Sequence, residues 1–190
     1  MVTAKRTRIP KLVTSSSKVA AAPVQQVPLP NSSPTVSIRI SNATDVPAIV
    51  PVVNAAYAIE MFFQGTRTDA EGVAEMMQKG EFLVAESVSG GIVATVYTEL
   101  RGERGYFGML AVEPSQQGSG LGRMMVEAAE EHCRRHGCKH MDIDVVSLRP
   151  DNLHLYRKFG YFETGTEEFH PPRSRKVEVQ CHLIIMSKAL

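Results

Sequence analysis

The chain has 190 residues, 43% of them hydrophobic, and a formal net charge of +1. A chain of this size can bury a core, and it has no apolar run near the ~20 residues that a membrane-spanning helix needs. Its near-neutral charge gives no reason to expect nucleic acid as a partner. The cysteines Cys133, Cys138 and Cys181 form no disulfide framework and fit a reducing compartment. We therefore expect one compact soluble cytoplasmic domain, monomeric or homodimeric, with no nucleic-acid or membrane partner.

Residues 1–35 differ in composition from the rest of the chain. They contain five basic residues, no acidic residue, a serine run at 15–17 and five prolines. Such a segment cannot bury enough apolar surface to offset the entropy of ordering, so we expect a disordered tail. The same composition is typical of a mitochondrial or plastid transit peptide, and the cluster Lys5–Lys11 also fits a nuclear-type signal. A plain solvated tail fits as well, and the folded domain is predicted over residues 36–190.

The first half of the folded part predicts a strand, two helices and a hairpin. Apolar residues alternate in the first strand, and Thr68 to Glu71 fit a capping box that opens the second helix. Ser89-Gly90-Gly91 indicates the turn of the hairpin. The predicted elements are a strand at 36–40, a helix from about 44 to 61 kinked at Pro51, a helix from about 69 to 79, and strands at 82–88 and 92–100.

The second half predicts alternating strands and helices. After a turn at 101–104, the predicted elements are a strand ending at Val112, a helix at 120–136, a strand at 141–146, a helix at 150–159 and strands near 161–168 and 177–188. Three central antiparallel strands followed by this β-α-β-α-β order predict an α+β domain. Its sheet should be mixed and largely antiparallel, with helices flanking it.

The most informative segment is Gln117-Gly118-Ser119-Gly120-Leu121-Gly122, between an apolar strand and a helix. Its glycines leave the backbone open, and the first turn of the helix has free N–H groups, so the segment predicts a pyrophosphate site. A P-loop would need Lys and then Ser or Thr after Gly122, where Arg123-Met124 stand. A dinucleotide fingerprint would need glycine at 123, although Asp142 lies where that fingerprint wants an acid.

The spacing Gln-x-x-Gly-x-Gly resembles the acetyl-CoA signature of the GNAT superfamily of N-acetyltransferases. A later segment, Arg149 to Phe162, resembles that superfamily's motif of a short helix carrying Leu155-Tyr156, followed by Gly160 and an aromatic residue. The resemblance covers roughly residues 36–188. It implies a fold in which two parallel strands, ending at Val112 and Val146, splay apart to hold the cofactor between them.

The resemblance also implies roles for particular residues in transferring an acetyl group from acetyl-CoA to an amine. Tyr156 would be the general acid, because a phenol is protonated at neutral pH and can give a proton to the departing thiolate. The residues expected to bind acetyl-CoA are Leu110, Ala111, Val112, Gln117, Gly118, Ser119, Gly120, Leu121, Gly122, Arg123 and Asn152. Backbone N–H groups at 110–112 could also donate to the thioester oxygen.

Several assignments stay open at the level of sequence. The general base could be Glu60, Glu99, Glu113 or an ordered water. Relatives commonly carry Asn seven residues before the tyrosine, where this chain has Arg149, so the contact with the pantetheine arm is open.

The acceptor and the activity are open as well. The acceptor amine could belong to a small molecule or a protein. Segments 60–68 and 169–176 are expected to border its site, and residues of opposite charge lie in or beside them: Glu60, Asp69 and Glu71 against Arg67, Arg173 and Arg175. A non-catalytic CoA-binding regulatory module is the alternative function. The cluster His132, Cys133, His136, Cys138 and His140 suggests zinc, but its basic residues and Gly137 fit a helix C-terminus better, so we expect no metal.

Overall fold

The computed structural model describes residues 36–170, 175–177 and 179–190. The predictions for the tail at 1–35 and for residues 171–174 lie outside this described part. The strands are β1 Val36–Ile40, β2 Phe63–Gly65, β3 Glu81–Ser87, β4 Ile92–Arg101, β5 Arg104–Val112, β6 His140–Val146, β7 Phe162–Glu168, β8 Arg175–Val177 and β9 His182–Ala189. The helices are α1 Val46–Tyr57, α2 Ala70–Met77, α3 Leu121–Arg135 and α4 Pro150–Lys158, with single 3-10 turns at Ala43–Asp45 and Pro114–Gln116.

Seven strands form one sheet in the order β1-β3-β4-β5-β6-β9-β7. Within the described residues every pair in this sheet is antiparallel except β5 with β6. The predicted α+β class, with a largely antiparallel sheet and one parallel pair, is therefore confirmed.

Two hydrophobic cores lie on opposite faces of the sheet. The first packs α3 against the strands through Leu121, Met125, Val126, Ala129 and Cys133, which recur on one face of the helix. The second packs the buried valines and isoleucine of α1 and Val73 of α2 against β3, β4 and β5. Glycine 105 allows α3 to come close, because a Cβ there would lie 2.6 Å from the Cys133 sulfur. The sheet is thus held tightly between helices at its centre.

Strand β5 contains a bulge that the sequence pattern did not reveal. Gly108 pairs with Tyr97 and Ala111 with Thr95, so Met109 and Leu110 together oppose one residue of β4. Met109 has a φ of 51°, the only positive φ outside glycine in the described chain. The extra residue inverts the alternation of side chains: Phe107 faces the α3 core, whereas Met109, two positions on, faces the α1 core.

Three sequence predictions were wrong in detail. Helix α1 ends at Tyr57 rather than near Met61, and the residues that follow lead into β2. Strand β2 pairs antiparallel with β8, so the late segment predicted as one strand at 177–188 is divided into β8 and β9. Asp69, rather than Thr68, caps α2 by accepting a 2.8 Å hydrogen bond from the Gly72 N–H. No helix in the described chain has the length and apolar character needed to cross a membrane.

Candidate active site

Strands β5 and β6 pair over only part of their length. Arg104, Gly105 and Tyr106 are in register with His140, Met141 and Asp142, and beyond these residues the two strands separate. The predicted splay is therefore present. An Arg104 guanidinium hydrogen bond to Asp142, 2.6 Å long, lies at the paired end. A cleft opens at the other end, between the second half of β5 and the second half of β6.

The glycine turn lies just past the end of β5. Gly118 and Gly120 have φ values of 77° and 88°, the left-handed region that favours glycine, and a Cβ at either position would meet nothing within 4 Å. The Gln117 amide donates a 3.1 Å hydrogen bond to the Val112 carbonyl, and the Ser119 hydroxyl donates one of 2.6 Å to the Gln116 carbonyl. Side chains of the turn thus brace its backbone, and the face over Gly118 and Gly120 is left open.

Helix α3 begins directly after this turn, with Gly120 as its N-cap. No side chain caps it, and its first turn carries no acidic residue. Its free N–H groups and partial positive charge therefore face the open side of the turn. The Arg123 guanidinium lies 5.7 Å from the centre of the Phe159 ring and 2.9 Å from a Glu127 carboxylate oxygen. Arg123 thus stands at the turn, as predicted, but its charge is shared with a neighbouring acid.

The bulged end of β5 forms one wall of the cleft. Leu110 lines it, whereas the Ala111 side chain is buried in the α1 core and Val112 packs towards α3. Because β6 has moved away, the backbone groups of 110–112 on the β6 side have no strand partner within the described chain. These groups are where the sequence predicted backbone donors.

The cleft leads into a cavity at the centre of the molecule. The residues that line it are Tyr57, Glu60, Phe63, Arg67, Tyr106, Phe107, Gly108, Met109, Leu110, Ile143, Asp144, Val145, Val146, Arg149, Asn152, Tyr156 and Phe169. Tyr156 and Asn152, two of the predicted site residues, are among them. The predicted border segments also reach it, through Glu60, Phe63, Arg67 and Phe169.

Tyr156 is held in the cavity wall by aromatic contacts. Its ring packs edge-on against Phe107, Phe159 and Tyr161, with centroids 5.9, 6.3 and 6.1 Å away. Burial raises the pKa of its hydroxyl, the nearby Tyr57 raises it further, and the Arg149 charge lowers it. The phenol is therefore protonated throughout the physiological range, as a proton donor must be.

Asp144 is a titratable cavity residue that the sequence analysis overlooked. Asp144 is solvent-exposed and its side chain lines the cavity, yet enough protein surrounds the carboxyl group to desolvate it in part. This desolvation raises the pKa of the carboxyl above its ordinary value, and the neighbouring Tyr106 hydroxyl and Arg101 guanidinium limit the rise. A carboxylate with a raised pKa is a better base than an ordinary aspartate.

A signal for Asp144 was present in the sequence. Met141, Ile143 and Val145 alternate as the buried face of β6, so Asp142 and Asp144 occupy the opposite face of a central strand. Two acids on such a strand are unusual in a structural role. Asp142 is neutralised by Arg104, whereas Asp144 faces the cavity.

The carboxylates that the sequence offered as a general base lie in other surroundings. Glu60 lines the cavity but forms a 3.0 Å ion pair with Arg149, and its side chain is only 5% exposed. Glu99 is bound to the Arg101 guanidinium at 3.0 Å, outside the cavity lining, and Glu113 follows β5 on the way to the glycine turn. None of the three combines an unpaired carboxylate with a place in the cavity.

Arg149 occupies the position at which relatives commonly have asparagine. Besides Glu60, its guanidinium contacts Asp151 at 2.8 Å and the Asn152 side-chain oxygen at 3.1 Å. The Asn152 side chain is therefore engaged by Arg149 at the cavity edge. Pro150 is the first residue of α4, as the sequence predicted.

The histidine and cysteine cluster near the end of α3 is explained by local contacts. His132 lies 2.9 Å from a Glu81 carboxylate oxygen and stacks on His136, and Gly137 has the left-handed φ of a residue that follows a helix. In the described part of the chain, no group of three or more His, Cys, Asp or Glu side chains could hold a metal ion.

A backbone cradle for an anion that opens through splayed strands onto a partly buried tyrosine and a cavity-lining carboxylate is the arrangement expected of a group-transfer enzyme whose donor carries a phosphate. Comparison with known families agrees. The model of the Acetyltransferase (GNAT) family matches residues 54–161, which is more than half of the chain and includes both the glycine turn and Tyr156. The protein belongs to the GNAT family of acetyltransferases, and the predicted resemblance is confirmed.

The curated proteins that are similar in sequence include two acetyltransferases. Mycothiol acetyltransferase of Propionibacterium freudenreichii subsp. shermanii is 28% identical over 137 residues, which are 67% of this chain and 43% of that protein. Streptothricin acetyltransferase of Streptomyces lavendulae is 28% identical over 58 residues, 30% of this chain and 31% of that protein. The chain spans less than half the length of these curated relatives.

Solved structures agree with the fold. The ribosomal-protein-S18-alanine N-acetyltransferase of Escherichia coli superposes with a TM-score of 0.63 at 20% identity, covering 82% of this chain and 94% of that one. A phosphinothricin acetyltransferase from Sinorhizobium meliloti, solved in complex with acetyl-CoA, gives a TM-score of 0.65 at 15% identity and covers 82% and 89%. At these identities the superpositions establish the fold.

Proposed function

We propose that this protein transfers the acetyl group of acetyl-CoA to an amine acceptor by direct attack of the amine on the thioester. The observation that carries the proposal is the placement of Asp144 and Tyr156 on one cavity, at the open end of the splayed strands. One is a carboxylate with a raised pKa and the other a phenol that stays protonated. Together they supply the base and the acid that amine acetylation needs.

The glycine turn fits the pyrophosphate of acetyl-CoA. Gly118 and Gly120 present bare backbone, α3 begins there with free N–H groups, and no acid of the first turn competes for them. Gln117 and Ser119 hold the shape of the turn, and Arg123 adds a cation beside it. The cleft between β5 and β6 would receive the pantetheine arm, with the unpaired backbone of 110–112 along one side. Acetyl-CoA supplies an acetyl group activated as a thioester.

The residues of the chain then have distinct tasks. The Asp144 carboxylate accepts a proton from the acceptor ammonium group, since only the neutral amine has a free electron pair. Backbone N–H groups at the bulged end of β5 donate to the oxygen of the acetyl carbonyl, where negative charge develops. The Tyr156 hydroxyl gives its proton to the departing sulfur. Aromatic side chains around the cavity keep bulk water from competing with the amine.

The test is thiol release from acetyl-CoA with a panel of primary amines, comparing wild type with Asp144→Asn. The matched control is Asp142→Asn, on the same face of β6 but bound to Arg104 outside the cavity. We expect Asp144→Asn to lower kcat/KM about 10²–10⁴-fold, the usual loss for a positioned base. Asp142→Asn should stay within a few-fold of wild type. Acetyl-CoA binding without thiol release in wild type would instead identify a non-catalytic CoA-binding module.

A further inference from the structure

We propose that the acceptor carries an acidic group in addition to its amine, and that Arg67 binds this group while Asp144 faces the amine. The acceptor would then be an amino acid or a similar small zwitterion. This inference rests on the proposed acetyl transfer and specifies its substrate class. It starts from the charges that the cavity walls carry.

Among the described residues, four charged side chains line the cavity, and two of them form an ion pair with each other. Glu60 and Arg149 form the 3.0 Å ion pair described above, so neither is available as a full charge. The remaining two are Asp144 and Arg67. Arg67 is partly buried and forms no ion pair with any residue of the described chain; its guanidinium instead lies over the Tyr57 ring, 5.0 Å from the centroid. Among the described residues, the cavity therefore presents one carboxylate, Asp144, and one guanidinium, Arg67, that are not neutralised by an ion pair.

The two unpaired charges act on the same part of the cavity. The Tyr106 hydroxyl lies among them: burial raises its pKa, Asp144 raises it further, and the charges of Arg101 and Arg67 lower it. Gly108 leaves the space for this hydroxyl, because a Cβ there would lie 2.8 Å from the Tyr106 oxygen. A ligand lying along Tyr106 would thus be within the influence of both the negative Asp144 and the positive Arg67.

Arg67 is held in place by its backbone neighbour. The Thr68 N–H donates to the Asn54 side-chain oxygen, and the Asn54 amide donates to the Thr68 carbonyl, both at 3.0 Å. These two bonds attach the segment to α1. A cation fixed in this way loses little freedom on binding an anion, and its planar guanidinium matches a carboxylate in two-point contact.

The covering of the cavity favours a small acceptor. Phe63 and Phe169 line it and stack with centroids 5.3 Å apart, and β2, which starts at Phe63, pairs with β8. Two segments distant in sequence are thus joined beside the acceptor site. They enclose an aromatic space that suits a short apolar stem between an amine and an acid.

The test measures kcat/KM for matched acceptors with and without the acidic group. The pairs are L-phenylalanine with L-phenylalaninamide, L-methionine with L-methioninamide, and the ω-amino acids of three to six carbons with the corresponding unsubstituted amines. We expect the best acceptor to be an acid, preferred at least tenfold over its uncharged partner. The variant Arg67→Gln should reduce that preference to within about threefold and leave the uncharged partners unchanged. Arg67→Lys should retain part of it, and Arg123→Gln, at the glycine turn, should leave the ratio unaltered.

Three results would overturn the inference. Uncharged amines could be equal or better acceptors, the preference could survive in Arg67→Gln, or a wild-type protein that binds acetyl-CoA could acetylate no acid of the panel. In the first two results thiol release still occurs, so the proposed acetyl transfer stands without this acceptor class. Failure of acetyl-CoA binding itself in calorimetry is the distinct result that removes the proposed function.

Discussion

Two helices of this protein begin just after neighbouring strands, yet their N-termini are built in opposite ways. Helix α3 follows β5 with Gly120 as its N-cap, no acid in its first turn and no capping side chain. Helix α4 follows β6 with Arg149 as its N-cap, Pro150 in the first position and Asp151 next to it. The first N-terminus is open, and the second is filled by its own residues.

The N-terminus of α4 is occupied by a charged side chain of the protein itself, the Asp151 carboxylate. The Arg149 guanidinium holds the pKa of the Asp151 carboxyl below its ordinary value, and the backbone N–H groups of Asp151 and Asn152 lower it further. A carboxylate of the protein itself thus occupies the position that a bound anion would take. The N–H groups at the start of α3 are thus available to a phosphate, whereas those of α4 already have a carboxylate beside them. Helix α3 is therefore expected to bind the cofactor, and α4 to position Tyr156.

Removing the Tyr156 hydroxyl should have the largest effect, and it should affect catalysis without affecting cofactor binding. Tyr156→Phe keeps the ring and its packing and removes only the hydroxyl, so kcat should fall about 10²–10⁴-fold. The dissociation constant of acetyl-CoA should change less than threefold, because the glycine turn supplies the binding. The control is Tyr161→Phe, whose hydroxyl donates to Glu130 in the core, 2.8 Å away. A Tyr156→Phe enzyme that keeps a third of kcat, with chemistry rate-limiting, would make Tyr156 a packing residue.

The second effect concerns the open N-terminus. Gly120→Val places a branched side chain at a φ of 88° on the open face of the turn, so acetyl-CoA affinity should fall at least ~10-fold, or about 1.4 kcal/mol. Gly137→Val is the matched control, because Gly137 has a φ of 87°, follows the same helix and is equally uncrowded. It should lose similar stability without loss of affinity. Equal calorimetric affinity in both variants would rule out the turn as the binding site.

The third effect concerns the filled N-terminus. Arg149→Asn removes a cation that pairs with the buried Glu60 carboxylate, so the free energy of unfolding should fall by about 1–3 kcal/mol. The double variant Glu60→Gln, Arg149→Asn should recover much of this loss. Urea unfolding of wild type, Glu60→Gln, Arg149→Asn and the double variant measures the coupling energy between the two residues. Strictly additive losses would show that the ion pair contributes nothing to stability.

The smallest effect compares two carboxylates. The pKa of Asp151 is lowered in the folded protein, so its charge stabilises the fold at neutral pH, and this contribution disappears as pH falls through the lowered pKa. The pKa of Asp144 is raised, so its charge costs stability at neutral pH and the cost is relieved as pH falls through the raised value. At pH 7, Asp151→Asn should lower Tm and Asp144→Asn should raise it. Both differences should shrink towards pH 3, and changes of the same sign would contradict the assignment.

The sequence predicted the glycine turn, the start of α4 and the splayed strands because each has a local or familiar pattern. Gly120 and Gly137 mark both ends of α3, and Pro150 marks the start of α4. The glycine turn and the start of α4 depend on backbone conformation within a few residues, which the residue types report directly. The splay of the strands was instead implied by the resemblance to the GNAT superfamily.

Other parts of the site depend on contacts between distant segments. The pairing of β2 with β8 joins residues 63–65 to 175–177, and neither segment is long enough to give a strand pattern of its own. The ion pair of Glu60 with Arg149 spans 89 positions. Asp144 could have been noticed in the sequence as an acid on a central strand. The sequence could not show that Arg104 pairs with Asp142 and not with Asp144, because this depends on the register of β5 against β6.

The bulge in β5 limits how this strand can vary in length. After Met109, every side chain of the strand points to the opposite core from the one that simple alternation would give. Deleting Met109 would restore regular pairing with β4 and keep Leu110, Ala111 and Val112 on their present faces, but it would remove the Met109 side chain from the α1 core. The deletion would also close the gap that the bulge leaves in the hydrogen-bond ladder between β4 and β5, whereas single substitutions at these positions would leave that gap in place. The number of residues between Gly108 and Val112 is therefore as much a part of the site as their identities.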